Sequence, residues 1–328
     1  MINERIDLWE NGEYTYRAAY GFQPNIRTYI HEDAGNRPNL LVVPGGAYCM
    51  VCPPESEFIA KEFYNRGMNT FVLSYTTDIT TAVPLNRQPL EDLSRAVRVI
   101  RKLMAERTGT QEKTYVAGFS AGGHLTGSLA THYMDVEETN EKYRDFTNRP
   151  DAVILGYPVI SFTKYVEAFS MLTLVGPEPT PETVDYFSLE KAVTDQTVPC
   201  FVWHTAEDSL VPVQNSLMFA EALKEHGVKF ELHIFSHGDH GLCLPNETFF
   251  SGKFGGEFVM EQLGMSVAAV KNGTAVDITE KRTEELKVQF AERPREPQEG
   301  AEAPKVDLKE FEDIRQWPDM ACRFLSRL

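Results

Sequence analysis

The stretch Thr114-Tyr115-Val116-Ala117-Gly118-Phe119-Ser120-Ala121-Gly122-Gly123-His124-Leu125 decides the fold. Its opening residues form a short apolar, β-favouring run that reads as a buried strand, and the residues from about Ala121 to Tyr133 read as a helix. Between them stands Gly118-x-Ser120-x-Gly122. A bare G-x-S-x-G is a weak pattern, but between a strand and a helix it has the setting that a nucleophile elbow requires. There a serine sits at a sharp strand-to-helix turn with its hydroxyl raised above the sheet edge. The glycines two residues either side let neighbouring backbone pass without Cβ clashes.

Working outward, Asn39-Leu40-Leu41-Val42-Val43-Pro44 reads as a strand running into Gly45-Gly46. Glu57 to Arg66 reads as a helix stopped by Gly67, and Thr70–Tyr75 as the next strand. Leu90, Leu93, Val97, Ile100 and Met104 recur at helical spacing, which puts Arg95, Arg98 and Lys102 on a solvated side. Residues 152–155, 200–203 and 230–234 supply three more strands, a helix over 216–225 separates the last two, and 314–328 reads as a closing amphipathic helix. Strands alternating with helices predict an α/β fold with a mostly parallel central sheet and helices on both faces. The whole of 1–328 reads as one domain. Residues 158–198 stand where such enzymes often carry a cap over the pocket. Residues 245–311 read as an insertion before the last helix, serving as a lid or an oligomer arm. Within it, Glu292–Gly300 is dense in charge, Pro and Gly, the composition of a surface loop.

A serine hydroxyl is a poor nucleophile until a base takes its proton, and that base needs an acid to orient it. In this architecture the order is serine, acid, histidine, with the last two placed after later strands. Asp208 follows strand 200–203, and His240 follows strand 230–234. Both fall at carboxyl strand ends, where open α/β sheets build their sites. Ser120, Asp208 and His240 are therefore the expected catalytic residues. Glu207 is the rival acid, but Val211-Pro212 gives the D-x-x-V-P form that favours Asp208. His237 is the rival base, and the short Gly238-Asp239-His240-Gly241 turn favours His240. His124, His204 and His233 lie on predicted elements and read as structural. The oxyanion of a tetrahedral intermediate needs preorganised N–H donors. These are expected from Ala121 and from the Gly45-Gly46-Ala47 turn. Ala47 and Tyr48 are candidate pocket residues, with a purely structural Tyr48 as the alternative.

The bulk properties bound the partners. The chain has 328 residues and a formal net charge of −16, which argues against nucleic acid and anionic membrane surfaces as partners. The N-terminus has no apolar signal core, and no run approaches the roughly 18 apolar residues of a membrane span. The five cysteines are scattered; Cys49 and Cys52 form a C-x-x-C without a second pair at zinc-site spacing. The expectation is a cytoplasmic protein that needs no metal or other cofactor.

Together these stretches resemble the esterase/lipase branch of the α/β-hydrolases that holds acetyl esterases and acetylxylan-esterase-like proteins, beside hormone-sensitive-lipase relatives. Val43-Pro44-Gly45-Gly46-Ala47-Tyr48 is similar to the branch's P-G-G-G-Y strand end, and Gly118–Leu125 to its elbow. Arg149-Pro150-Asp151 with Gly156-Tyr157-Pro158-Val159, Trp203–Pro212 and Gly238–Leu242 follow in the same order. The likeness runs from about Leu8 to Leu244 and resumes at Gln316. Lipase relatives carry H-G-G-G at the oxyanion turn; here Pro44 takes the His position and Ala47 the third Gly, which leaves open which two amides donate. The resemblance implies a serine carboxylesterase acting on short-chain, foremost acetyl, esters of small molecules or oligosaccharides such as xylan fragments. A small peptide or amide hydrolase and a binding protein with vestigial catalysis are the alternatives. A homo-oligomer is one use for the insertion.

Overall fold

A computed structural model of the chain describes residues 1–10, 12–291 and 306–328. The Glu292–Gly300 run read above as a surface loop lies outside the described residues. Eight strands, β1 (Arg5–Asp7), β2 (Asn25–Tyr29), β3 (Asn39–Val43), β4 (Asn69–Ser74), β5 (Thr114–Phe119), β6 (Val153–Gly156), β7 (Cys200–Thr205) and β8 (Phe230–Phe235), form one sheet. Their order is β1-β2-β4-β3-β5-β6-β7-β8. From β4 to β8 every pairing is parallel. Every residue of β3, β4, β5, β6 and β7 is buried, as expected for strands covered on both faces. The edge pair is the exception. β1 and β2 join antiparallel, with Ile26 opposite Leu73 of β4.

The helices are α1 (Glu57–Asn65), α2 (Gln88–Thr108), α3 (Ala121–His132), α4 (Ala168–Val175), α5 (Pro181–Tyr186), α6 (Leu189–Ala192), α7 (Gln214–Glu225), α8 (Glu247–Phe250), α9 (Glu261–Asn272), α10 (Glu280–Ala291) and α11 (Trp317–Leu325). Helix α3 is buried along its full length. The closing helix α11 places Trp317 on the core, stacked on Trp203 at 5.2 Å and edge-on to Phe119 at 5.7 Å. Its indole N–H donates to the Cys243 carbonyl at 2.7 Å, so the last helix also braces the loop after β8.

Helix α2 corrects one expectation. Leu90, Leu93, Val97, Ile100 and Met104 are buried as the spacing predicts, but so are Arg95 and Arg98. The N-terminal arm and the segment after α3 cover that side. Arg95 pairs with Glu13 at 3.1 Å and Glu138 at 2.6 Å, donates to the Leu8 carbonyl, and lies under Trp9 at 4.3 Å. A buried guanidinium needs such partners on every side. Arg98 donates to the Phe146 carbonyl.

Within 245–311 the described residues include helices α8, α9 and α10, and α9 and α10 dock on the body. Leu263 and Val270 of α9 and Leu286 of α10 form a second apolar cluster with Cys49 and Ile79, flanked by Ala47, Met50 and Phe169. Gln262 accepts the Thr77 N–H at 2.8 Å, and Arg282 donates to the carbonyls of Ile79 and Thr80. Among the described residues, no helix is long and apolar enough to cross a membrane.

Candidate active site

Ser120 occupies the turn between β5 and α3 at φ 53, ψ −122, a left-handed conformation costly for a residue with a Cβ. The surroundings hold it there. Its N–H donates to the Gly156 carbonyl at 3.0 Å, and its own carbonyl accepts from His124 and Val159. The flanking glycines are obligatory by contact: a Cβ on Gly118 would overlap the Gly122 carbonyl and the Thr126 hydroxyl, and one on Gly122 the carbonyls of Val43 and Pro44.

The loop after β8 carries His240 to this serine. Its Nε2 lies 2.9 Å from Ser120 Oγ, and its Nδ1 lies 2.7 Å from Asp208 Oδ2. The acid is fixed in turn, because its Oδ1 accepts the N–H groups of Leu210 and Val211 at 3.0 and 2.8 Å. Burial opposes charge on Asp208, but hydrogen bonds from His204 and His240 override it and hold the carboxyl well below the usual range. It is the ionised partner an imidazole needs. The two loops are tied by Asp239, which accepts from Ser209 Oγ at 2.7 Å and from the His240 N–H at 2.8 Å.

The rival residues are turned elsewhere. Glu207 accepts from the Gly238 N–H at 3.3 Å. His237 bonds to the Glu310 carbonyl, beside Asp313. His124 is buried, with Nδ1 accepting from Tyr48 Oη at 2.7 Å and Nε2 donating to the Phe187 carbonyl at 2.8 Å. Burial pushes its pKa down to about 4. His204, read as structural, also contacts the site: its Nε2 lies 2.9 Å from the Val211 carbonyl and 3.2 Å from Asp208 Oδ2. No spacing in the sequence links it to Asp208 beyond their i, i+4 separation across a strand end.

The Gly45-Gly46-Ala47 turn differs from one expectation and decides between two others. Gly45 was expected among the donors, yet its N–H is engaged by the buried carboxylate of Glu55 at 2.6 Å. A carboxylate taken out of water must find N–H or O–H donors, and this amide is one of them. Tyr48 was a candidate for the pocket wall; it is 1% exposed and spends its hydroxyl on His124. Gly46 and Ala47 continue the turn at φ 118 and 52, both partly exposed. Among the described residues, the N–H groups of Gly46, Ala47 and Ala121 have no protein acceptor.

No motif or spacing in the sequence marks Glu55. Its Oε1 accepts from the Tyr157 hydroxyl at 2.6 Å, and the Tyr157 ring stands edge-on to His240 at 5.0 Å. Among the described residues, no group of three or more His, Cys, Asp and Glu is arranged to hold a metal ion.

Comparison with known proteins agrees with this architecture. Residues 28–223 match the BD-FAE family. A protein named endo-1,4-beta-xylanase B from Butyrivibrio fibrisolvens is 55% identical over 258 residues, 79% of this chain and 41% of its own length. An acetylxylan esterase of Xylanibacter ruminicola is 29% identical over 222 residues, 65% of this chain and 42% of its own. The chain thus spans about two fifths of each of these relatives. The crystal structure of an acetyl ester-xyloside bifunctional hydrolase from Caldicellulosiruptor lactoaceticus superposes with a TM-score of 0.69 at 36% identity, covering 80% of this chain and 97% of that one. The chain belongs to the BD-FAE family and has the α/β-hydrolase fold.

Proposed function

We propose that the chain is a serine carboxylesterase that removes short acyl groups, foremost acetyl, from carbohydrate such as xylan fragments, through an acyl-enzyme. The observation that carries this reading is the unbroken relay Ser120 Oγ – His240 Nε2 and His240 Nδ1 – Asp208, at 2.9 and 2.7 Å. His240 takes the Ser120 proton as Oγ attacks the ester carbonyl, and Asp208 keeps the imidazole in the tautomer that leaves Nε2 free to accept. The oxyanion is held by the Ala121 N–H and one N–H of Gly46 or Ala47. His240 then returns the proton to the departing alcohol, and water repeats the sequence to release the acid. The names of the acetylxylan esterase and acetyl ester-xyloside hydrolase relatives support acetyl groups on xylan-derived sugars as the substrate class. Helices α9 and α10, packed beside Ala47 and Met50, serve in this reading as a wall of the site.

The test compares nitrophenyl acetate, butyrate and octanoate, acetylated xylo-oligosaccharide and an aminoacyl anilide, with Ser120→Ala beside the wild type. The reading requires turnover that favours acetate over octanoate and falls at least about 10³-fold in the variant. Preference for the anilide would make the chain an amide hydrolase. An inert wild type would make it a binding protein.

A further inference from the structure

Glu55 ends the short 3₁₀ turn Pro53–Glu55 and is only 3% exposed, although a carboxylate rarely enters a core without a partner cation. Its two oxygens are divided between two donors. Oε2 takes the Gly45 N–H and Oε1 the Tyr157 O–H, each at 2.6 Å. Burial pushes its pKa up, and those two bonds oppose the rise.

Both donors border the reacting atoms. A Cβ placed on Gly45 would fall 2.8 Å from Ser120 Cβ and 2.9 Å from Glu55 Oε2, so this glycine is a one-atom-thick layer between carboxylate and nucleophile. Tyr157 is held at φ 35, strained for a tyrosine, by an N–H bond to the Trp203 carbonyl at 2.7 Å. Its ring packs edge-on against both Trp203 and His240. We propose that Glu55 is a positioning residue, its one carboxylate setting the Gly45-Gly46-Ala47 turn against Ser120 and, through Tyr157, the seat of the His240 ring. This inference rests on the reading of Ser120 and His240 as nucleophile and base. Glu55 touches neither substrate nor Ser120 Oγ; it fixes the distance between the oxyanion donors and the carbon under attack. The oxyanion exists only beyond the ground state, so a loosened turn is felt in kcat and hardly in KM.

The experiment measures kcat and KM for nitrophenyl acetate in wild type, Glu55→Ala, Glu55→Gln and Tyr157→Phe, with thermal unfolding of each. Glutamine keeps the bridge: its carbonyl accepts the Gly45 N–H, and its NH₂ donates to a rotated Tyr157 hydroxyl. The expected result is a kcat loss of about 10²-fold in Glu55→Ala with KM within about threefold. Glu55→Gln should recover at least about tenfold of that loss, and Tyr157→Phe should lose about three- to tenfold in kcat. Wild-type kcat in a folded Glu55→Ala, a loss carried in KM, or equal loss in the alanine and glutamine variants overturns the proposal. If Glu55→Ala does not fold, Tyr157→Phe decides: wild-type kcat there overturns it, and the stated fall in kcat alone supports it. An inert wild type would instead overturn the esterase reading, so the two failures are distinct.

Discussion

Replacing Gly45 by alanine probes the site at its tightest point. The added methyl would lie 2.6 Å from the Phe119 carbonyl oxygen, 2.8 Å from Ser120 Cβ and 2.9 Å from Glu55 Oε2. Ordinary contacts for such atoms are near ~3.5 Å, so each approach is short by about 0.6–0.9 Å. None of the three neighbours is the free end of a flexible chain: one is strand backbone, one the strained elbow, and one a carboxylate fixed by two 2.6 Å bonds. The turn must therefore move away from Ser120 by a large fraction of an ångström. Overpacking of this kind costs about 1–3 kcal/mol of stability, and a displacement of about 1 Å at a reacting centre costs on the order of 10²-fold in rate. Gly45→Ala should remain folded, with kcat on nitrophenyl acetate reduced about 30- to 100-fold and KM changed little. The control is Gly264→Ala in α9, where a Cβ meets nothing within 4 Å; activity should be retained there, with stability raised by about 0.5–1 kcal/mol. A folded Gly45→Ala enzyme with kcat within threefold of wild type would refute the claim that this turn is set by direct contact with the elbow.

Other consequences follow from the same geometry. Asp208→Asn keeps the shape but loses the charge that both His240 and His204 face. Its kcat should fall about 10⁴-fold with the unfolding temperature little changed, and a loss under tenfold would remove Asp208 from the relay. His124 takes up protons only near pH 4 when folded, against 6.5 in the unfolded chain. Above pH 6.5 both states are neutral there. As pH falls from 6.5 toward 4 the unfolded chain gains a proton that the folded one does not, so stability drops by about 2 kcal/mol between pH 7 and 5. Urea midpoints at the two pH values should show this decline in the wild type and lose it in His124→Asn; an unchanged decline in the variant would assign it to other groups.

The core of the fold was legible because its signals are local. β3, β5, β6 and β7 are continuous apolar runs, and the elbow carries glycines that its contacts make obligatory. Ser120, Asp208 and His240 were legible from chain order and strand ends, and the structure brings their side chains within hydrogen-bonding distance. Features set by distant partners were not. β1 spans three residues and β2 holds polar Asn25, Arg27 and Thr28, so neither shows an apolar run; β2 becomes a strand by pairing with β4, and β1 by pairing with β2. Arg95 reads as a wet-side cation until Glu13 and Glu138 close over it. Glu55 sits in Cys52-Pro53-Pro54-Glu55, which has the look of an exposed turn, and its partners lie 10 and 102 residues away. That is also why Gly45 was counted among the oxyanion donors. A glycine pair marks where backbone approaches closely, not what each amide faces.

The most direct measurement is the intact mass and peptide map of the protein quenched during turnover of nitrophenyl acetate. A single added acetyl group on Ser120 is expected, absent in Ser120→Ala and formed far more slowly in His240→Ala. An acetyl group on another residue, or steady turnover in the Ser120→Ala protein, would contradict it.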